Sequence, residues 1–304
     1  MVAPLHIQKE ITTGLKINEI YNEDCLIGMH KIKDNSISLI LCDLPYGTTQ
    51  NKWDCILPLN DYIKIEIKIK NKMKEMCLNK EDYKIYCFDN NINSNQFKIN
   101  WDKNSKLGLW SHYNRIIKDN GAIVLFGAQP FTSKLINSNI KNFKYDWTWS
   151  KTKGTGHLNA KRQPLRDKED ILVFYKQQCK YNPQFSKGKA YDGAARAGKK
   201  HQTSSYGEHG QFREKNDGKR YPRQILKFDI VGRGSLHPTQ KPVDLLEYLI
   251  KTYTDENEVV LDNCMGVGST AIGCINTNRS FLGFELSKDY FDISQQRISD
   301  AMGK

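Results

Sequence analysis

Hydrophobic positions along the chain fall into short runs separated by turn residues, and the runs alternate between strand-like and helix-like periods. Ser36 to Cys42 (SISLILC) is an apolar run ended at once by Asp43-Leu44-Pro45-Tyr46-Gly47, which predicts a buried strand closed by a proline-containing turn. Trp110 to Lys118 predicts a short helix stopped by Asn120-Gly121, and Gly121 to Gly127 (GAIVLFG) a second buried strand. Asp146 to Lys151 and Asp170 to Tyr175 are further strand candidates on either side of a connection rich in Gly and Pro. Pro242 is placed to open a helix as its first residue, with Leu245, Leu246, Leu249, Ile250 and Tyr253 on one face. Glu258 to Asp262 predicts a strand running into Gly266 and Gly268, followed by a helix over Ser269 to Asn276. Ser280 to Phe284 predicts a strand ending at Glu285, and Asp289 to Met302 an amphipathic closing helix. Strand and helix alternate, so the expected architecture is a doubly wound α/β sheet.

Cys55 to Asn104 breaks this rhythm. It opens with the alternating IKIEIKIK, passes through a lysine-rich stretch and ends in an asparagine-rich run. Its period decides neither helix nor strand, so 55–104 reads as an insertion of unknown role between core elements.

The chain has 304 residues, 38% hydrophobic and 26% charged, a globular composition that excludes an intrinsically disordered protein. No apolar run reaches the length of a bilayer span, and MVAPLHIQKEITTG lacks the basic head and apolar stretch of a signal peptide, so a cytoplasmic protein is expected. The eight cysteines are scattered, with no CxxC and no Cys/His pairing at metal-ligand spacing, which predicts reduced thiols and no metal site. Net charge is +12, and residues 151–236 carry 20 Lys and Arg against 8 Asp and Glu, which is the whole surplus. That segment interleaves cations with Gly, Gln, Ser and Tyr, a composition that suits a phosphate backbone because each cation displacing a condensed counterion adds affinity. A solvated basic face would have the same composition.

Two places carry candidate chemistry. At Asp262-Asn263-Cys264-Met265-Gly266-Val267-Gly268-Ser269-Thr270 an apolar strand enters a glycine turn and then a helix, the arrangement by which α/β folds bring backbone close to a nucleotide-like ligand. Glu285 follows about twenty residues later at the end of the next strand, a spacing at which a carboxylate accepts hydrogen bonds from a ribose diol. A helix-start turn with an unrelated Glu would look the same. The second place is Asp43-Leu44-Pro45-Tyr46, where a carboxylate, a main-chain carbonyl and an aromatic face could form a slot for a flat ring bearing an amine. A plain proline turn closing a strand is the alternative there.

At these residues the sequence resembles the amino-methylating DNA methyltransferases of the D-P-P-Y family, specifically the permuted group in which the catalytic segment precedes the cofactor loop. The resemblance extends through GAIVLFGAQPFTS (121–133), the stretch 149–176, and His237-Pro238-Thr239-Gln240-Lys241-Pro242. It implies a Rossmann-like mixed sheet in permuted order with an inserted target-recognition region, S-adenosylmethionine as cofactor and double-stranded DNA as partner. The implied division is a catalytic half (1–54), the insertion, continued core (105–176), a basic target-recognition region (177–236) and a cofactor-binding half (237–304). By the same resemblance Asp43, Leu44, Pro45 and Tyr46 hold the flipped base, and the loop Asp262, Asn263, Cys264, Met265, Gly266, Gly268, Ser269 and Thr270 wraps the methionine part of the cofactor. Glu285 takes the ribose, Asp24 and Cys25 the adenine, and His237, Thr239 and Lys241 lie near the cofactor carboxylate. The sequence departs from the pattern at Leu44, for a first proline, at Asn263 and Cys264, for a Pro-Phe pair, and at Val267, for a small hydroxyl residue.

Asp rather than Ser at position 43 implies methylation of adenine N6, with cytosine N4 as the alternative. A catalytically silent DNA-binding protein of the same fold, or a methyltransferase for RNA or a protein amide, are further readings, and the size of the basic segment favours nucleic acid over an amide. Related enzymes often form dimers, which leaves a homodimer open.

Overall fold

The run Ile37–Cys42 is buried along its whole length, as a strand must be when helices cover both of its faces. It belongs to an eight-stranded sheet in the computed structural model, which describes residues 14–47, 54, 57–60, 107–191, 200–203, 207–210, 216–232 and 234–303. In chain order the first elements are β1 (Glu19–Tyr21), α1 (Cys25–Gly28), β2 (Ile37–Cys42), α2 (Leu109–Ile116), β3 (Ile117–Gly127), α3 (Phe131–Ser138), β4 (Phe143–Thr155) and β5 (Arg166–Phe174). Then come β6 (Ser186–Lys187), β7 (Lys200–Thr203), β8 (Gly207–Gly210) and β9 (Lys219–Arg220). The chain closes with β10 (Ile225–Phe228), α4 (Val243–Tyr253), β11 (Val259–Asp262), α5 (Ser269–Asn276), β12 (Ser280–Phe284) and α6 (Lys288–Met302).

Along the sheet the order is β1-β12-β11-β2-β3-β5-β4-β10. The first five strands run parallel, β5 is antiparallel to both β3 and β4, and β10 pairs parallel with β4. The carboxyl ends of β1, β12, β11, β2 and β3 therefore share one edge with the carboxyl end of β4 and the amino end of β5. Alternate residues of each strand feed two cores. Ile40, Cys42, Ile123 and Leu125 face α2 and α3 through Tyr113, Ile116 and Leu135. Leu39, Leu41, Val124 and Phe126 face the opposite way, toward Leu245, Leu249, Ala271 and Cys274 of α4 and α5. Each fully buried Leu or Ile is worth about 2 kcal/mol, so this two-sided burial fixes the sheet edge on which the site is built.

Several expected boundaries differ: β4 (Phe143–Thr155) is longer at both ends than the expected 146–151, and β5 (Arg166–Phe174) starts four residues before the expected 170–175 because the two strands pair with each other as far as Thr155 and Arg166. Helix α2 stops at Ile116 and β3 starts at Ile117, ahead of the Asn120-Gly121 turn signal, because Ile117 pairs with Ile37 of β2 across an irregular register. Gly121 allows that approach, since a Cβ there would lie 2.9 Å from the Ser38 carbonyl oxygen. Pro242 sits outside α4 with ψ 135°, in extended conformation, and Val243 is the first helical residue. The expected insertion lies outside the described residues except at 57–60. There the Pro58 and Leu59 carbonyls accept the Leu109 and Trp110 amides at 2.9 and 3.1 Å, satisfying the first turn of α2.

A second compact unit spans Pro183–Arg223, inside the expected target-recognition region, and β10 belongs to the sheet unit. Its β6 pairs with β9 and its β7 with β8, all antiparallel, and a bridge joins Tyr191 to Asn216. The Phe185 and Tyr221 rings meet at 4.9 Å and the Arg220 guanidinium lies 5.0 Å over the Tyr191 ring. Among the described residues no helix is long and apolar enough to cross a membrane.

Candidate active site

Pairing of Leu261 in β11 with Ile40 in β2 sets the ends of these two strands side by side, so the turn after Asp43 and the loop after Asp262 converge. A cavity of about 730 Å³ opens between them. Its lining includes Asp24, Cys25, Asp43, Leu44, Pro45, Tyr46, His237, Thr239, Lys241, Asp262, Asn263, Cys264, Met265, Gly266, Ser269, Thr270 and Glu285. Of the residues the sequence singles out, Gly268 alone is not part of that lining; it serves the turn behind it.

The loop after β11 is held by its own first residue. Asp262 accepts the Cys264 amide at 3.0 Å and the Thr270 hydroxyl at 2.6 Å, tying the strand end to the first turn of α5. Burial pushes its pKa up to about 6, against the hydrogen bonds that favour the ion. Gly266 and Gly268 have φ of 54° and 80°, the left-handed region that glycine enters without a Cβ penalty. Arg297 of α6 braces the same loop by donating to the Val267 carbonyl and, at 3.3 Å, to the Ser269 hydroxyl. Across the cavity, Glu285 accepts the Gly266 amide on one oxygen (2.7 Å) and the Ser287 amide on the other (2.8 Å), and burial raises its pKa. A carboxylate offers about four acceptor sites, so Glu285 keeps capacity for a ligand.

Asp24 caps α1 by accepting the Leu26 amide at 2.8 Å. Asn263 is buried and accepts the Tyr113 hydroxyl at 2.6 Å, while its amide lies 3.6 Å from the Cys25 sulfur and 3.5 Å from the Cys264 sulfur. Asn263 and Cys264 stand where the resembled family has Pro and Phe, and the Cys264 thiol packs against the core that includes Cys25. Leu41, Phe126, Met265 and Val267 add apolar lining, and open space surrounds the point where a Gly266 Cβ would stand. Acceptors at one end, close backbone at the centre and apolar walls, in a volume within the few-hundred to thousand Å³ range of small-molecule sites, suit an adenosine-like ligand with a polar tail.

The other half of the cavity is a chain of charges in which Lys241 is buried and Asp43, Glu169 and Lys151 are half-buried. Asp43 accepts the Tyr46 hydroxyl at 2.9 Å on one oxygen and forms an ion pair with Lys241 through the other. The Lys241 ammonium also lies 3.3 Å from Glu169 and 5.1 Å from the Phe126 ring centre. Glu169 in turn receives Lys151 at 2.5 Å. Burial pushes the Asp43 carboxyl up in pKa and Lys241 opposes it, whereas for Glu169 the two lysines outweigh burial and the pKa falls. Lys241 stays protonated, because its two carboxylates outweigh the desolvation that disfavours its charge. Tyr46 stacks on Phe131 at 5.0 Å and 22°, so one ring face is already covered. The Gly47 amide donates to buried Asp54 at 2.7 Å and closes the turn.

His237 accepts the Thr239 amide at 3.2 Å and sits edge-on to Tyr290 at 4.4 Å. Burial, helped by Lys241, lowers its pKa to about 4, so it is a neutral imidazole near pH 7. Glu169, Asp54 and Phe131 are site residues that sequence reasoning missed. Glu169 is the fourth residue of β5, and nothing local in the sequence says that this strand runs against β3 and carries Glu169 to the cavity edge.

A family model described as DNA methylase, N6_N4_Mtase, matches residues 37–296. The chain is 24% identical over 300 residues to the type II methyltransferase M.HindIII of Haemophilus influenzae, covering 93% of this chain and 95% of that one. It is 27% identical over 293 residues to the type II methyltransferase M.BglII of Bacillus subtilis, covering 93% and 69%. Among solved structures, the PvuII DNA methyltransferase (cytosine-N4-specific) is similar in fold with a TM-score of 0.53 at 14% identity, over 94% of this chain and 91% of that one.

Proposed function

This chain belongs to the DNA methylase family, and on that premise we propose that it transfers a methyl group from S-adenosylmethionine to the N6 amine of an adenine flipped out of double-stranded DNA. The observation that carries this reading is the Asp43 carboxylate, bracketed by Tyr46 and Lys241 and set in one cavity with Glu285 and the loop from Asp262 to Thr270. Bound S-adenosylmethionine supplies a methyl group activated by its sulfonium. Glu285 would hold the ribose, Asp24 and Cys25 the adenine, and the loop from Asp262 to Thr270 the amino-acid part, with His237 and Thr239 near its carboxylate.

The amine of adenine is a weak nucleophile because its lone pair is delocalised into the ring. Hydrogen bonds from that amine to Asp43 and to a main-chain carbonyl at Leu44 or Pro45 favour a pyramidal nitrogen, and they strengthen as positive charge develops on it. Leu44 in place of proline keeps that carbonyl, and its side chain is buried in the core. Tyr46 has one face on Phe131 and offers the other to the base. Asp43 then takes a proton from the methylated amine. When the amine replaces Lys241 on Asp43, Glu169 remains to neutralise the lysine, so the exchange leaves no buried cation unpaired. Asp at position 43, where the cytosine-N4 pattern has Ser, supports adenine as the base.

The test is transfer of labelled methyl from S-adenosylmethionine to unmethylated bacterial DNA, digested to nucleosides, with Asp43→Ala alongside. Label in N6-methyladenine, falling about a hundredfold or more in the variant, is the expected result. Label in N4-methylcytosine would overturn the base assignment and keep the mechanism. Cofactor binding with no labelled DNA would move the substrate to RNA or protein.

A further inference from the structure

The ribbon of β4 and β5 begins in the cavity and ends well outside it. Glu169 lines the cavity and pairs with Trp149; three residues back along β5, about 10 Å away, Arg166 pairs with Thr155. Beyond that pair lies a turn that is exposed from Thr155 to Lys168. The turn is nonetheless built: Gly156 has φ 89°, a single 3-10 turn spans His157–Asn159, and the Ala160 and Arg162 amides donate to the His157 and Asn159 carbonyls at 3.1 and 2.8 Å. Leu165 packs back against Gly154, where a Cβ would lie 2.8 Å from the Leu165 Cβ. On this ordered turn Leu158 is fully exposed, at 103%.

A single exposed leucine is ordinary. Here, however, it is displayed on a hydrogen-bonded turn rooted in the catalytic cavity, among Lys153, Lys161, Arg162 and Arg166. From the reading of this protein as a DNA methyltransferase, we propose that this turn is a DNA-contacting finger: its cations hold phosphates and Leu158 enters the base stack at the gap left by the extruded nucleotide. The partner is double-stranded DNA because the charge is complementary to it, whereas two copies of the same cationic turn would repel each other. An apolar wedge between base steps is a common way to stabilise an opened stack. The reach also fits, since the 10 Å from Glu169 to Arg166 already exceeds the depth of a DNA groove, about 8 Å. Target contacts would then extend outside the 177–236 segment, into the sheet unit itself.

The full chain, S-adenosylmethionine and unmethylated bacterial DNA test this. Leu158→Ala should lower kcat at saturating DNA about tenfold, with KM for the cofactor unchanged, and Leu158→Met should restore it. Lys161→Gln with Arg162→Gln should raise KM for DNA and reduce the slope of log affinity against log salt by about 2. Because Leu158 packs against nothing, the thermal midpoint of its variants should equal that of the wild type, and a lowered midpoint would assign the residue to folding. Wild-type kcat in Leu158→Ala would overturn the wedge, and an unchanged salt slope would overturn the phosphate contacts. A dimer that dissociates in Leu158→Ala with DNA kinetics unaltered would give the turn to self-association. Wild-type protein that labels no DNA would instead overturn the methyltransferase reading, and the finger with it.

Discussion

Asp43 stands between a cation that favours its ionised form and a carboxylate that disfavours it. Burial raises its pKa, Lys241 lowers it and Glu169 raises it again. Only the ionised carboxylate accepts on both oxygens, from the Tyr46 hydroxyl on one and from the amine on the other, so kcat falls on the acid side as Asp43 takes a proton. Lys241→Met removes the lowering charge, and the acid limb should move to higher pH. Glu169→Gln removes a raising charge while leaving Lys241 to Asp43, and the limb should move to lower pH. Opposite displacements in the two pH profiles are the expected outcome; displacement in the same direction would show that another group titrates. Much of this constellation was legible in the sequence, because Asp43 to Tyr46 and Asp262 to Thr270 are contiguous and each sits where a strand runs into a turn. Glu169 and Phe131 were not legible, since their places depend on strand direction and on a helix packing across the sheet. The resemblance put Lys241 beside the cofactor's carboxylate; in the folded protein its ammonium lies on Asp43 and Glu169.

The start of helix α5 depends on one buried carboxylate. Asp262 is 4% exposed and joins β11 to α5 through the Cys264 amide and the Thr270 hydroxyl. Its folded pKa of about 6 lies above the 3.8 of the unfolded chain, so the stability it confers is full below pH 3.8 and is lost as pH rises through 6. That difference corresponds to about 3 kcal/mol. Asp262→Asn removes the titration but can keep both partners, since its amide oxygen accepts and its nitrogen donates. In urea unfolding, wild type minus variant stability should therefore increase by about 2 kcal/mol between pH 7 and pH 4.5. A difference that is flat with pH would mean Asp262 is not the buried acid. At this scale β2, α4, α5 and β12 follow the sequence pattern closely, because each is an uninterrupted apolar run or face. The strands β1 and β10 and helix α1 have three or four residues, too few to show a period, and exist because neighbours supply their pairing and packing.

Charge divides the whole molecule as well. Of the net +12, Pro183–Arg223 carries ten Lys and Arg against four Asp and Glu, half of the surplus. Every residue lining the cavity comes from the other unit, 1–182 with 224–304. The residues that flank the inserted segment belong to the sheet unit and are held within it: the Asn182 amide donates to the Thr252 carbonyl at 2.7 Å, and the Gln224 side chain donates to the Asp146 carbonyl at 3.0 Å. Replacing 183–223 with a flexible glycine-serine linker should therefore leave a folded core that binds S-adenosylmethionine as the full chain does. Its DNA affinity should fall, with a shallower dependence on salt, because six net charges no longer displace counterions. Methylation should lose its preference for one sequence while the modified atom stays the same, since the reacting groups are untouched and the separate basic unit is gone. Sequencing of the methylated positions decides the point. The same sites modified by the shortened and the full chain would place target recognition in the sheet unit, with the β4–β5 turn as the first place to look, and would leave the basic unit only the strength of binding.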